Sequence, residues 1–287
     1  MNGVLVIDKP AGITSHDVVA RLRRALRTKK IGHTGTLDPF ATGVLVMLVG
    51  PATRLAQYLD RDEKEYLADV RFGISTDTGD RTGTVINAGG SVPTEKELTD
   101  VLRQFIGNIQ QTPPMYSAKK VGGKKLYELA RRGETIERAA VEITVKDLEI
   151  ADVSPDGTFR LRTVCSAGTY VRTLAEDIAS RLGTFAHLAE LRRIRAGAYT
   201  LEQAAELGDG SRLAAKIQPP AEAVAHMETF VLNEERSAKT RNGLSTRSFS
   251  DTADGQLFRM VDEQGELVAV GVYDAAEKAI KPKIVLV

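Results

Sequence analysis

Residues 32–45 read GHTGTLDPFATGVL, and the way this stretch divides into loop and strand organises the rest of the chain. Gly32, Gly35 and Gly43 permit backbone conformations closed to other residues, and Pro39 fixes the turn directly after Asp38. From Val44 the composition turns apolar, and 44–49 reads as a buried strand closed by Gly50-Pro51. An aspartate held in a rigid, glycine-lined loop that feeds a buried strand is well placed to be a reactive carboxylate. The same residues also fit an Asx turn, in which the Asp38 side chain bonds backbone amides before Pro39. The local sequence leaves both readings open.

Upstream, 3–7 reads as a short buried strand ended by Lys9-Pro10-Ala11-Gly12. Ser15 is the expected cap of a helix whose apolar positions Val18, Leu22, Ala25 and Leu26 recur at helical spacing, with Asp17 in its first turn. Downstream, Tyr66, Ala68, Val70 and Phe72 alternate with Leu67, Asp69 and Arg71, the period of a strand with one better-buried face. Residues 94–106 predict a helix opened by a Thr94–Glu97 capping box, with Leu98, Val101, Leu102 and Phe105 as its stripe. Strands at 141–150 and 158–165 flank the turn 154–157, and a helix over 171–182 stops at Gly183. Adjacent strands followed by helices favour a mixed or antiparallel sheet over a doubly wound one. After about 224 short strand-like runs at 257–261, 267–273 and 283–287 predict a small all-β module, packed on the main domain because it holds little core of its own.

Composition narrows the function class. The chain has 287 residues, 42% hydrophobic and 27% charged, with a net charge of +1. No run of eighteen apolar residues offers a membrane span, and the opening MNGVLVIDKP is not a signal peptide. A single cysteine, Cys165, at an inward strand position, excludes an internal disulfide framework and fits a reducing cytoplasm. The charge is unevenly placed: 18–37 carries Arg21, Arg23, Arg24, Arg27, Lys29 and Lys30 without an acid. Residues 113–140 are also rich in base, with Lys119, Lys120, Lys124, Lys125, Arg131, Arg132 and Arg138. Such clusters suit either a phosphate-binding surface or solvated helix faces. Four scattered histidines and one cysteine give no zinc spacing. No nucleophile elbow, Walker loop or dinucleotide fingerprint is present. Any chemistry falls to carboxylate, arginine and tyrosine.

The stretch GHTGTLDPFATGVL resembles the signature of the tRNA pseudouridine-55 synthases, the TruB type, whose family includes the catalytic subunits of box H/ACA particles. NGVLVIDKPAGITS at the start, KEYLADVRFGISTDTGD at 64–80, PPMYSAKKVGGKKLYELARRG at 113–133, CSAGTYVRTLAEDIASRLG at 165–183 and LRRIRAGAY at 191–199 resemble that family in the same order. The resemblance implies an α+β fold, a mixed and largely antiparallel central sheet flanked by helices, over 1–224. It implies a small C-terminal all-β PUA-like RNA-binding module over 225–287. It places the catalytic aspartate at Asp38, supported by Arg172 and Tyr66. His33, Tyr170, Leu191, Lys9 and Pro10 fall on substrate-binding positions. Residues 113–140 fall on a basic arm that closes over RNA, with Lys119, Lys120, Lys124 and Lys125 as phosphate contacts.

The activity so implied is isomerisation of uridine to pseudouridine at position 55 in the T loop of tRNA, by a cytoplasmic monomer without an obligatory protein partner. The reaction breaks the N1–C1′ bond, turns the base and joins C5 to C1′, with no net redox change, so neither cofactor nor metal is expected. Whether the carboxylate acts at C1′, at C6 or through a glycal stays open. The base must leave its stack, at a cost of a few kcal/mol offset by pocket contacts, and His33 is placed to fill the gap. Alternatives are a catalytic subunit of a guide-directed particle, a non-catalytic tRNA-folding protein, and a nucleotidyltransferase suggested by His33-Thr34-Gly35-Thr36. The last wants a second histidine where Thr36 stands. A start at the first motif and the lack of a basic tail resemble the stand-alone kind.

Overall fold

The apolar run that follows Asp38 is buried on both faces. Strand Gly3–Lys9 pairs antiparallel with strand Thr42–Val49, from Gly3 opposite Val49 to Lys9 opposite Gly43. Leu5, Ile7, Leu45, Met47 and Val49 enter one core, whereas Val4, Val6, Val44, Val46 and Leu48 enter a second on the other side. Side chains alternate across a strand, so a strand between two cores must be apolar throughout. The computed structural model describes residues 1–59, 63–117, 119–130, 132–248 and 252–286, with only the backbone for Lys120, Lys124 and Lys125.

These two strands begin the main sheet, which continues through Ala186–Ala196, Lys64–Phe72, Phe159–Cys165, Val141–Val153 and Gly107–Gln111. Ile31–Thr34 adds to Thr42–Val49, and Tyr199–Thr200 to Ala186–Ala196. Every pairing is antiparallel except that of Thr42–Val49 with Ala186–Ala196. The fold is therefore α+β with a mixed, largely antiparallel sheet, as expected. Helices Ser15–Ala25, Glu95–Leu102 and Val171–Arg181 cover one face, inserting Val18 and Leu22, Leu98 and Leu102, and Leu174 and Ile178 into the first core. Tyr66, Ala68, Val70 and Phe72 join them, the face that their spacing predicted. Cys165 is fully buried there, and burial pushes its thiol up to about 11, so it is a core residue.

The opposite face is covered over only part of its width. A C-terminal five-stranded sheet runs in the order Glu228–Leu232, Leu257–Asp262, Leu267–Asp274, Ala279–Val285 and Thr246–Arg247. Its Val261, Leu267, Val270 and Ile284 share the second core with Val4, Val6 and Val46. Further across, the same face of Lys64–Phe72 carries Glu65, bonded to Arg162 and Arg195, and Asp69, bonded to Arg160. A charged ladder takes over where, among the described residues, no second layer covers the sheet.

Local details differ from the sequence expectation for physical reasons. Thr14, not Ser15, caps the first helix: its hydroxyl accepts from Asp17 N at 3.0 Å and Asp17 returns a bond to Thr14 N at 2.8 Å. That reciprocal box outcompetes a lone serine and leaves the Ser15 hydroxyl free for the loop before Asp38. The helix at 95 tightens to a 3-10 turn over Arg103–Phe105. The last strand starts at Ala279 rather than 283, and it runs through Pro282, which cannot donate to a ladder, beside a register shift opposite Gly271. Among the described residues, helix Glu234–Arg241 accompanies the C-terminal sheet. It has no apolar stripe, burying only Ser237 and Thr240, so its periodicity was invisible.

Gly43 is required where it stands. Its φ is +102°, and a Cβ there would lie 2.1 Å from the Arg193 carbonyl oxygen of the parallel neighbour strand. Gly43→Ala should therefore destabilise by at least about 2–3 kcal/mol, strain and backbone displacement combined, read as a lower urea midpoint.

Candidate active site

Asp38 stands in the loop between strands Ile31–Thr34 and Thr42–Val49, and its neighbours are held from outside. Lys9, the last residue of the first strand, is fully buried and donates from Nζ to the carbonyls of Pro10 (3.0 Å), Pro39 (3.2 Å) and Ala41 (2.6 Å). Gly12 N donates to the same Pro39 carbonyl at 2.8 Å. Arg193, 1% exposed, ties the two ends of the loop, donating from Nη2 to Gly35 O at 2.9 Å and from Nε to Val44 O at 2.7 Å. Burial lowers the Lys9 pKa to about 8, against the opposing pull of the Asp38 carboxylate.

The Asp38 side chain reaches across the sheet rather than back to its own backbone. Arg172 donates from Nε to Asp38 Oδ2 at 2.8 Å and from Nη2 to Asp38 Oδ1 at 3.2 Å. This bidentate fork is the strong geometry for an arginine–carboxylate pair. Only 4% of the Arg172 side chain is exposed, against 33% of Asp38. Arg172 is thus no ordinary exposed helix residue, and Asp38 forms no Asx turn. Arg172 sits at the start of its helix, where the dipole disfavours a cation. The carboxylate, with the carbonyls of Thr78 (2.6 Å) and Tyr116 (2.8 Å), offsets that cost.

The pair forms one wall of a cleft of about 270 Å³. Tyr66, Tyr170 and Leu191 line it, together with Lys64, Ser117 and Arg193. Burial raises the Tyr66 phenol above its ordinary pKa, opposed by the positive charge of Arg193. The cleft therefore offers a half-exposed carboxylate anchored by a dry guanidinium, a flat ring, and an apolar floor. A carboxylate so placed stays oriented for attack or proton removal while keeping one side open to a substrate.

The predicted site residues divide into two groups. Asp38, Arg172, Tyr66, Tyr170 and Leu191 converge on the cleft. Lys9 and Pro10 are not in its walls: Lys9 is spent on loop carbonyls, and Pro10 is exposed beyond it. His33 lies beside the cleft, on strand Ile31–Thr34, with its ring edge-on to His16 at 5.8 Å. Its Nδ1 is buried without a partner, and burial, then the charges of His16 and Arg193, lower its pKa to about 4. Lys119 and the backbone turn that links Lys120–Val121 to Lys124–Lys125 form a small hairpin beyond Ser117. The side chains of Lys120, Lys124 and Lys125, and all of Arg131, lie outside the described residues.

Comparison with known proteins assigns the sequence to a family. The profile described as TruB family pseudouridylate synthase (N terminal domain) matches residues 23–171, and that described as tRNA pseudouridylate synthase B C-terminal domain matches 172–228. The chain belongs to the TruB family. A relative from Geobacter sulfurreducens named tRNA pseudouridine synthase B is 46% identical over 85% of this chain and 82% of its own. One of the same name from Bacillus licheniformis is 41% identical over 100% and 98%. Among solved structures, the crystal structure of a Cbf5-Nop10-Gar1 complex contains a chain 28% identical, with a TM-score of 0.74 over 99% of this chain and 85% of that one. The two TruB profiles meet inside the main sheet, since Ala186–Ala196 lies between Thr42–Val49 and Lys64–Phe72.

Sequence reasoning missed Arg193, Lys64 and Ser117. Arg193 and Lys64 sit in strands whose alternation places them inward, next to Leu191 and Tyr66, and an inward charge was the available signal. Ser117 carried none. Among the described residues no cluster of three or more metal-ligating side chains is found.

A neutral, buried His33 has a consequence for stability. Its folded pKa lies below its unfolded value, so the unfolded chain takes up the proton first, and stability falls as pH drops from about 6.5 toward 4. Thermal midpoints of wild type and His33→Phe should diverge in that window, with the variant showing the shallower loss. Parallel curves would show that His33 is not held neutral.

Proposed function

We propose that the protein isomerises uridine to pseudouridine at position 55 in the T loop of tRNA, with Asp38 as the catalytic carboxylate. The bidentate contact between Asp38 and Arg172, inside a cleft that also presents Tyr66, carries this reading within the family. Arg172 holds the carboxylate aimed into the cleft. Tyr66 offers its ring to the extruded uracil and its phenol as a relay for the proton that must leave C5. Tyr170 and Leu191 supply the apolar surface on which the detached base turns, and His33, uncharged, occupies the space the base leaves. The bonding change is internal: N1–C1′ breaks, C5–C1′ forms, and the C5 proton moves to N1 of the original ring.

Residues 1–224 act as the catalytic domain and 225–287 as a PUA-like RNA-binding module. The hairpin arm within 113–140 closes over the RNA, with Lys119, Lys120, Lys124 and Lys125 on phosphates. The protein works in the cytoplasm as a single chain, without guide RNA. Higher identity to relatives named tRNA pseudouridine synthase B than to the Cbf5 chain supports the stand-alone reading over the guide-directed one.

Incubation with unmodified tRNA transcript in chelator, followed by mapping of pseudouridine, tests activity, site and guide independence together. Product at position 55 is expected, and no product anywhere would refute the reading. Asp38→Asn should form no product while binding tRNA within about threefold of wild type, because the contacts that bind exceed those that react. Neutralising the four arm lysines should weaken tRNA binding and flatten the slope of log affinity against log salt by up to about 3. An unchanged slope would remove the arm from the interface.

A further inference from the structure

Two residues that do not line the cleft hold the peptide units on either side of its ion pair in the same manner. The Ser15 hydroxyl, 1% exposed, accepts from Leu37 N at 3.0 Å and donates to Leu37 O at 3.2 Å. The Gln111 amide, 0% exposed, accepts at Oε1 from Tyr170 N at 2.8 Å and donates from Nε2 to Tyr170 O at 3.1 Å. Leu37 immediately precedes Asp38, and its carbonyl belongs to the peptide plane that ends at Asp38 N. Tyr170 is the N-cap of the helix that carries Arg172. Each clamp satisfies both the amide and the carbonyl of one residue, so it fixes orientation as well as distance.

The surroundings show that these contacts are not by-products of secondary structure. Ser15 would ordinarily serve its own helix, but the Thr14–Asp17 box has taken that role. Tyr170 makes no side-chain cap, since its ring lines the cleft, and a residue from the edge strand Gly107–Gln111 grips that helix start instead. The clamps come from separate parts of the chain, 22 and 59 residues from what they hold. They flank a carboxylate and a guanidinium that are themselves 134 residues apart.

We infer that Ser15 and Gln111 are positioning residues for catalysis, which set the backbone from which Asp38 and Arg172 project. The inference rests on Asp38 being the catalytic carboxylate. Neither side chain lines the cleft, so their loss leaves tRNA binding in place and acts on the chemical step. Misplacement of a reacting group by about 1 Å is enough to slow a reaction roughly 100-fold.

The test measures single-turnover rate and tRNA dissociation constant for Ser15→Ala, Ser15→Thr and Gln111→Leu. Near-ultraviolet circular dichroism confirms the fold, with Asp38→Asn as control. Ser15→Ala and Gln111→Leu should each slow turnover by about 10- to 100-fold with the dissociation constant unchanged, and Ser15→Thr, which keeps the hydroxyl, should recover most of the rate. Folded Ser15→Ala or Gln111→Leu with a rate near wild type overturns the inference. So does a rate loss matched by lost affinity. If Ser15→Ala does not fold, Gln111→Leu, close to glutamine in volume but without its bonds, decides the matter alone. Turnover by Asp38→Asn defeats the assignment of the carboxylate, whereas a dead Asp38→Asn beside a fast Gln111→Leu defeats only the clamps.

Discussion

The contact between Asp38 and Arg172 is the constraint around which the main sheet is arranged. A guanidinium that is 4% exposed at the start of a helix is costly in two ways, through desolvation and through the dipole. It is tolerable only where a carboxylate and carbonyl oxygens meet its donors, and Asp38, Thr78 and Tyr116 do so from three separate segments. Removing the carboxylate would leave a buried cation with the carbonyls of Thr78 and Tyr116 and, at 4.0 Å, the Asp80 carboxylate. The loop of Asp38, the turn of Thr78 and the entry to the arm at Tyr116 are consequently tied to one side chain.

Such a contact demands a stiff platform, and the double-sided burial of the first two strands provides it. Strands Gly3–Lys9 and Thr42–Val49 carry apolar residues at successive positions because helices lie on one side and the C-terminal sheet lies on the other. This made 44–49 easy to read as a buried strand, while the partner layers could not be told from it. The alternation in Lys64–Phe72 was legible for the opposite reason: its second face is charged. Where periodicity fails, the sequence falls silent. Helix Glu234–Arg241 packs through small hydroxyl residues and strand Glu228–Leu232 exposes most of its side chains, so neither leaves an apolar pattern.

The candidate site was legible to a different extent. Asp38 stood out through its glycines and proline, yet the residues alone allowed an Asx turn, and nothing local singled out Arg172. The family resemblance paired them, because a contact 134 residues apart has no local signature. The resemblance had named Lys9 and an inward charge marked Arg193, but the bonds by which such groups brace the pair had no signal in the sequence. Lys9, Arg193, Ser15 and Gln111 bind backbone carbonyls and amides. A backbone oxygen can belong to any residue, so no pattern of side chains announces such a bond.

Bracing through carbonyls also shapes the field in the cleft. An arginine paired with a carboxylate contributes little net charge to its surroundings, whereas one bonded to neutral oxygens keeps its full charge. Among the described residues Arg193 has no carboxylate within salt-bridge distance, and its Nη2 and Nε donate to the carbonyls of Gly35 and Val44. Its charge opposes protonation of Lys9 and His33 and favours the ionised form of the Tyr66 phenol, in each case beside a larger effect of burial. With Arg172 paired to Asp38, Arg193 brings positive charge to the cleft in a chain whose net charge is only +1. Attraction for a polyanion is thus built locally, by choosing oxygen atoms without charge as the partners of buried cations.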